Sequence, residues 1–185
     1  MGEAKGRKTI FITGAASGIG AETARYFSKR GWFVGLYDID EPALARMVDE
    51  LGEANTIASR LDVRSREDWA AAISGFSAVT DQRMHILFNN AGIARHGWFE
   101  DIPPEDADAV VDINVKGVMN GVYASLDLLK ETTGARIINT ASAAGLFGTP
   151  RLAIYSATKF AVRGLSDALD VELSPKQAAT LRRCF

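Results

Sequence analysis

In Lys8-Thr9-Ile10-Phe11-Ile12-Thr13-Gly14-Ala15-Ala16-Ser17-Gly18-Ile19-Gly20 an apolar, strand-like run ends in a glycine-rich turn that leads straight into helical spacing. Glycines let the backbone turn sharply and approach a ligand, and the free amides and dipole of a helix N-terminus stabilise a pyrophosphate. No Gly-Lys-Ser/Thr follows, so this is not a Walker A loop, and Ala16 departs from the usual G-x-G-x-x-G. The alternative is a tight strand-to-helix turn that holds no ligand.

The pattern repeats outward. Strand-like runs at 8–13, 32–37, 55–61, 84–89 and 135–141 alternate with helical stretches at 18–30, 41–51, 65–79, 104–131 and 153–173. Five strands separated by helices, with no hairpin turn, predict right-handed crossovers and one parallel α/β sheet with helices on both faces. Ile10-Phe11-Ile12 and Ile86-Leu87-Phe88 are apolar throughout, as strands buried on both sides should be. One domain over 1–185 is expected, with neither repeat nor linker.

In such a sheet the ligand crevice lies beyond the carboxyl ends of the strands. The second strand ends at Asp38, 18 residues past Gly20, near the spacing of an acid that accepts hydrogen bonds from an adenosine ribose and repels a 2′-phosphate. No Lys or Arg lies within 15–17 or directly after Asp38, so NAD is expected over NADP. Asp38 can also be read as a helix cap before Glu41. The third strand ends in Asp62-Val63, the fourth in Asn89-Asn90-Ala91-Gly92 and the fifth in Ser142. Tyr155 and Lys159 then follow at a spacing that puts both on one helix face, or else form a plain surface pair. The helix at 104–131 carries Val110, Val115, Val118 and Val122 toward the core; Asn114 interrupts that face, and Gly117 and Gly121 leave room for a close-approaching backbone. Segments 93–99 and 143–152 sit on the ligand rim, where Trp98, Leu146 and Phe147 suggest a partly apolar substrate and His96 reads as a solvated loop residue.

Taken together, Thr13-Gly-Ala-Ala-Ser-Gly-Ile-Gly20, Asn89-Asn-Ala-Gly92, Asn114, Ser142 and Tyr155-x-x-x-Lys159 resemble the short-chain dehydrogenase/reductase family over roughly 8–173. The resemblance implies a doubly wound Rossmann sheet in the order 3-2-1-4-5. It implies an oxidoreductase that moves a hydride between NAD and a secondary alcohol or its carbonyl. Gly14, Ser17, Gly18, Ile19, Gly20, Asp38, Asp62, Val63, Asn90, Ala91, Gly92, Tyr155 and Lys159 would hold the cofactor. Tyr155 would be the general acid/base, tuned by Lys159 from an ordinary phenol pKa of about 10. Ser142 would donate to the substrate oxygen and Asn114 would hold a proton-relaying water. Ser17 stands where the epimerase branch has its middle glycine, which speaks against that branch. A methyltransferase on a similar sheet would leave Ser142, Tyr155 and Lys159 unexplained.

Composition limits the partners. Of 185 residues 47% are apolar and the net charge is −2, the profile of a soluble domain with no electrostatic bias toward nucleic acid or an anionic membrane. No apolar run approaches a membrane span, and the single Cys184 with two histidines gives neither an internal disulfide nor a metal-ligand spacing, so a cytoplasmic setting is expected. Family members continue past the last helix with further strands; segment 174–185 lacks β-branched runs and reads as an atypical, shortened tail. An open sheet edge and apolar surface are expected beside the fifth strand, and a nucleotide-binding or interaction protein without turnover is the competing reading. Homo-oligomers would form through helices 105–130 and 153–173.

Overall fold

β-branched and aromatic runs form the strands Thr9–Thr13 (β1), Phe33–Asp38 (β2), Thr56–Arg60 (β3), Ile86–Asn89 (β4) and Arg136–Asn139 (β5). The chain is described here from a computed structural model covering residues 3, 4 and 6–173. The expected atypical tail at 174–185 and Cys184 lie outside those residues. All strand pairs are parallel and the order is β3-β2-β1-β4-β5. The inner strands β1 and β4 are buried at every position, whereas β3 and β5, each flanked on one side only among the described residues, are partly open: β3 is buried at Thr56 and Ile57 and exposed at Ser59 and Arg60, and β5 alternates between buried and half-buried positions.

The helices are Gly18–Ser28 (α1), Glu41–Leu51 (α2), Arg66–Val79 (α3), Pro104–Val111 (α4), Gly117–Glu131 (α5) and Ala153–Leu173 (α6). Helices α1 and α2 cover Ile10, Ile12, Val34, Leu36, Ile86 and Phe88 on one face of the sheet. On the other, Phe11 stacks on Tyr37 at 3.8 Å and on Trp69 of α3 at 5.5 Å, and Leu87, Val122 and Ile137 complete that core. Among the described residues no helix is long and apolar enough to cross a membrane.

Two expectations are corrected. The stretch 104–131 is not one α-helix: a π turn at Asp112–Lys116 separates α4 from α5. The wider turn is matched by what it delivers, since Asn114, 1% exposed, bonds to two other segments. At Gly121 the close neighbours are side chains and not a backbone, whereas at Gly117 the Val63 backbone does come close, its carbonyl oxygen 3.6 Å from an added Cβ. A Cβ on Gly117 would meet the Val63 side chain at 2.7 Å, and one on Gly121 would run into Asn89 and the Trp69 ring, so these small residues let α5 settle onto its own sheet and α3.

Candidate functional site

Strands β1, β2 and β3 fill the sheet in one direction, and the chain then returns to place β4 on the other side of β1. Loops leaving β1 and β4 therefore diverge, opening a crevice at the switch point. A cleft of about 480 Å³ lies there, within the range of small-molecule and cofactor sites. Gly14, Ser17, Gly18, Ile19, Asp38, Asp62, Val63, Asn90, Ala91, Gly92, Tyr155 and Lys159 all line it, as does Arg64. Gly20 supports it from behind, and neither Asn114 nor Ser142 is on its wall.

Gly14 has φ +65°, and a Cβ there would meet the Ala91 backbone at 3.0 Å; a Cβ on Gly20 would collide with the Gly14 carbonyl. These two glycines let α1 start hard against the ends of β1 and β4. Gly18, at φ +52°, has nothing within 4 Å of an added Cβ and faces open space. Ser17, the N-cap, makes no side-chain capping bond and the first turn of α1 carries no acid, so its amides are left for an external anion. By contrast α2 and α3 are capped by Asp40 on the Ala43 amide and by Ser65 on the Asp68 amide. Asp38 is thus not the cap. Its Oδ2 accepts from the Ala16 amide at 3.0 Å, and its Oδ1 from the amides of Ile39 and Asp40 at 2.7 and 3.2 Å. A carboxylate offers about four acceptor directions, so one remains open at Oδ2 for a sugar hydroxyl. The uncapped amides, the glycine-lined approach and this fixed carboxylate fit a dinucleotide.

Two threonines assigned no role from the sequence hold the rim together. Thr13 Oγ1 accepts from the amides of Asn90 and Ala91 at 3.0 and 3.1 Å. The Asn90 amide nitrogen donates to the carbonyls of Thr13 and Gly14, and its Oδ1 accepts from Thr140 Oγ1 at 3.1 Å. The Thr140 carbonyl in turn accepts from Lys159 Nζ at 2.7 Å. The only trace of this in the sequence is a threonine at or just past a strand's carboxyl end.

Lys159 is 4% exposed, and its Nζ lies 5.5 Å from the Tyr155 ring centroid; burial pulls its pKa down to about 8. Ser142 Oγ accepts from the Ala144 amide at 3.2 Å, leaving its hydroxyl proton to be donated elsewhere. Asn114 Oδ1 accepts from the Ile93 amide at 2.9 Å, while Nδ2 donates to the Ile93 carbonyl at 2.8 Å and Thr158 Oγ1 at 3.1 Å. Both amide hydrogens are spent on protein, so this side chain ties the loop after β4 to α6. Trp98, Phe99 and Phe147, in the segments that follow β4 and β5, are 59%, 73% and 61% exposed and are not among the residues that line the cleft.

Residues 8–181 match the family model described as short chain dehydrogenase. The chain is 38% identical over 175 residues to oxidoreductase UcpA of Salmonella typhimurium, covering 93% of this chain and 65% of that protein. It is 37% identical over 169 residues to a 3-alpha-(or 20-beta)-hydroxysteroid dehydrogenase of Mycobacterium tuberculosis, covering 91% and 64%. A crystal structure of a short chain dehydrogenase/reductase from Burkholderia phymatum in complex with NAD superposes with a TM-score of 0.91 at 34% identity, covering 96% of this chain and 64% of that one. The chain thus spans just under two thirds of the length of these relatives.

Proposed function

The chain belongs to the short-chain dehydrogenase family, and from that premise we propose that it is an oxidoreductase acting on a secondary alcohol or the corresponding carbonyl, with NAD as its cofactor. The observation that carries the proposal is the buried Lys159 ammonium set beside Tyr155 on the wall of a glycine-lined cleft. NAD, when bound there, supplies the hydride acceptor. Tyr155 takes the proton from the substrate hydroxyl, or returns it to the carbonyl oxygen in the reverse direction. The Lys159 ammonium, itself buried, attracts the charge that develops on the phenol oxygen. Ser142 donates its free hydroxyl proton to the substrate oxygen. Asn114 is a positioning residue that holds the Ile93 segment, so a relay water would have to be bound without its amide hydrogens.

The fixed negative charge of Asp38 supports NAD over NADP, because a 2′-phosphate would have to approach it, and the NAD-bound structural relative supports the same choice. Exposed Trp98, Phe99 and Phe147 support a partly apolar substrate, and the name of the mycobacterial relative is in keeping with a secondary alcohol. Pairing of two copies through α5 and α6 belongs to the same reading; Tyr123 and Val171, 66% and 71% exposed, support it. The test is Tyr155→Phe. Turnover should fall by between about 100- and 10,000-fold, the usual worth of a general acid/base, with NADH affinity unchanged. Retained turnover would refute the assignment.

A further inference from the structure

Helices α3 and α5 part to leave a second hollow of about 320 Å³, at the small end of the range of small-molecule sites. Trp69, Ala70 and Ile73 line it from α3 and Tyr123 and Ala124 from α5, so its body is apolar. Two polar side chains complete the lining, Arg66 and Asn120. Both also border an adjoining hollow of about 230 Å³ that holds Arg64, Lys116 and Asp112, so the polar end of the groove lies toward those residues. An apolar body with a few placed polar groups is the composition of a ligand site.

The polar end is built in advance. Asn120, 9% exposed, donates from Nδ2 to the carbonyls of Val63 and Arg64 at 3.1 and 3.4 Å, which turns its Oδ1 to accept from Arg66 Nε at 3.3 Å. Trp69 Nε1 holds the same Val63 carbonyl at 3.0 Å, so the floor of the groove need not be ordered by a ligand. The other cations nearby are matched: Arg64 by Asp62 and Lys116 by Asp112, each at 2.6 Å. Arg66 has no carboxylate partner among the described residues, and its two terminal nitrogens are left for an external acceptor. A guanidinium fork takes a planar carboxylate with two parallel bonds. One unmatched positive charge, with Asp112 nearby, suits a monoanion better than a phosphate dianion. We propose that this groove binds a small aromatic carboxylate, its anion on Arg66 and its ring against Trp69, Ile73 and Tyr123. The site is separate from the glycine-lined cleft and does not rest on the NAD reading.

The experiment titrates the full chain by calorimetry with 2-naphthoate and with 2-naphthamide, which has the same shape and no charge. The acid should bind with a dissociation constant of about 1 mM or tighter, as expected of a ligand of that size. The amide should bind about ten-fold more weakly, the lower end of what a charged hydrogen-bonded pair contributes. Arg66→Gln, which can still donate to Asn120 but carries no charge, should bring the acid to the level of the amide. Ala70→Trp fills the groove from an exposed position on α3 and should abolish binding of both. Saturation with NADH should leave the affinity for naphthoate unchanged. Acid and amide bound alike, wild-type affinity in either variant, or no binding to the wild-type chain would overturn the inference. Displacement by NADH would place the ligand in the cleft and overturn it too. Tyr123 also figures in the pairing described above, so the titration is repeated at raised protein concentration: loss of binding there would make a second copy the occupant and would equally overturn the proposal.

Discussion

Lys159 shows what a single position costs the fold. Its Nζ is buried with one carbonyl partner and no carboxylate beside it among the described residues, so lost hydration goes uncompensated and the pKa sits near 8. An unfolded lysine titrates near 10.4. The folded state thus gives up this proton first: at pH 7 the buried ammonium subtracts from stability, and the penalty is relieved as pH rises through about 8 toward 10.4, so stability climbs in that window. Lys159→Met should therefore stabilise the chain at pH 7 by on the order of 2 kcal/mol and remove the rise above pH 8, while turnover is lost. Urea unfolding at pH 7 and pH 10 reads both effects; a less stable variant at pH 7 would contradict the burial argument. The Tyr155-x-x-x-Lys159 spacing was legible because helix geometry alone sets two side chains on one face. The Thr140 carbonyl that anchors Lys159 was not, since its role depends on a backbone group brought up by another element and not on side-chain type.

The long stretch from Pro104 to Glu131 carries the clearest lesson at the level of elements. Its valines repeat with helical spacing on both sides of Asn114, so periodicity gave no hint of the π turn at Asp112–Lys116. What favours the wider turn lies elsewhere in the sequence: Ile93 and Thr158 supply the partners that a buried amide requires. Asn114→Ala should leave the Ile93 amide and carbonyl without these partners and cost about 1–3 kcal/mol, with faster hydrogen exchange at Ile93 and unchanged exchange in β1. Full protection at Ile93 in the variant would show that the tie is dispensable. Elsewhere the elements were readable for definite reasons. Residues buried on both faces made β1 and β4 unbroken apolar runs, whereas the cap of α2 was not readable: two aspartates precede Glu41, and only the fold shows that Asp40 caps the helix while Asp38 is held by the amides of Ala16, Ile39 and Asp40. Gly121 was readable only as a small residue; that it makes room for Asn89 and Trp69 depends on how α5 meets α3 and the sheet.

Across the whole molecule the two ends of the sheet have separate duties. The carboxyl ends of the strands form the cleft, while at the amino ends His85 Nδ1 accepts the Thr9 backbone amide at 3.1 Å, joining the starts of β1 and β4. A backbone N–H can only donate, so Nδ1 must be bare and the proton of the neutral ring sits on Nε2. The groups facing the ring are Lys8 and Arg83, both cationic, with the Trp32 ring edge-on at 6.2 Å; burial, then Arg83 and Lys8, hold the pKa of His85 below 6.5. The unfolded chain therefore binds this proton first as pH falls. Stability is fully retained above pH 6.5, declines by at most about 1.4 kcal/mol per pH unit for one proton as pH drops toward the folded-state value, and then levels off. Asp62, Asp68 and Glu50, held below the ordinary carboxylate range by their partners, lose their contribution only below about pH 4, so the window just under 6.5 belongs to His85. Denaturant midpoints should fall between pH 7.5 and pH 5.5 in the wild-type chain and stay level in His85→Asn, which keeps an acceptor for the Thr9 amide without a titrating proton. Because the histidine sits at the opposite end of the strands from the cleft, NADH affinity should be the same in both proteins at each pH. A variant that retained the wild-type slope would place the titrating group elsewhere, and one that lost NADH affinity would show that the two ends of the sheet are coupled.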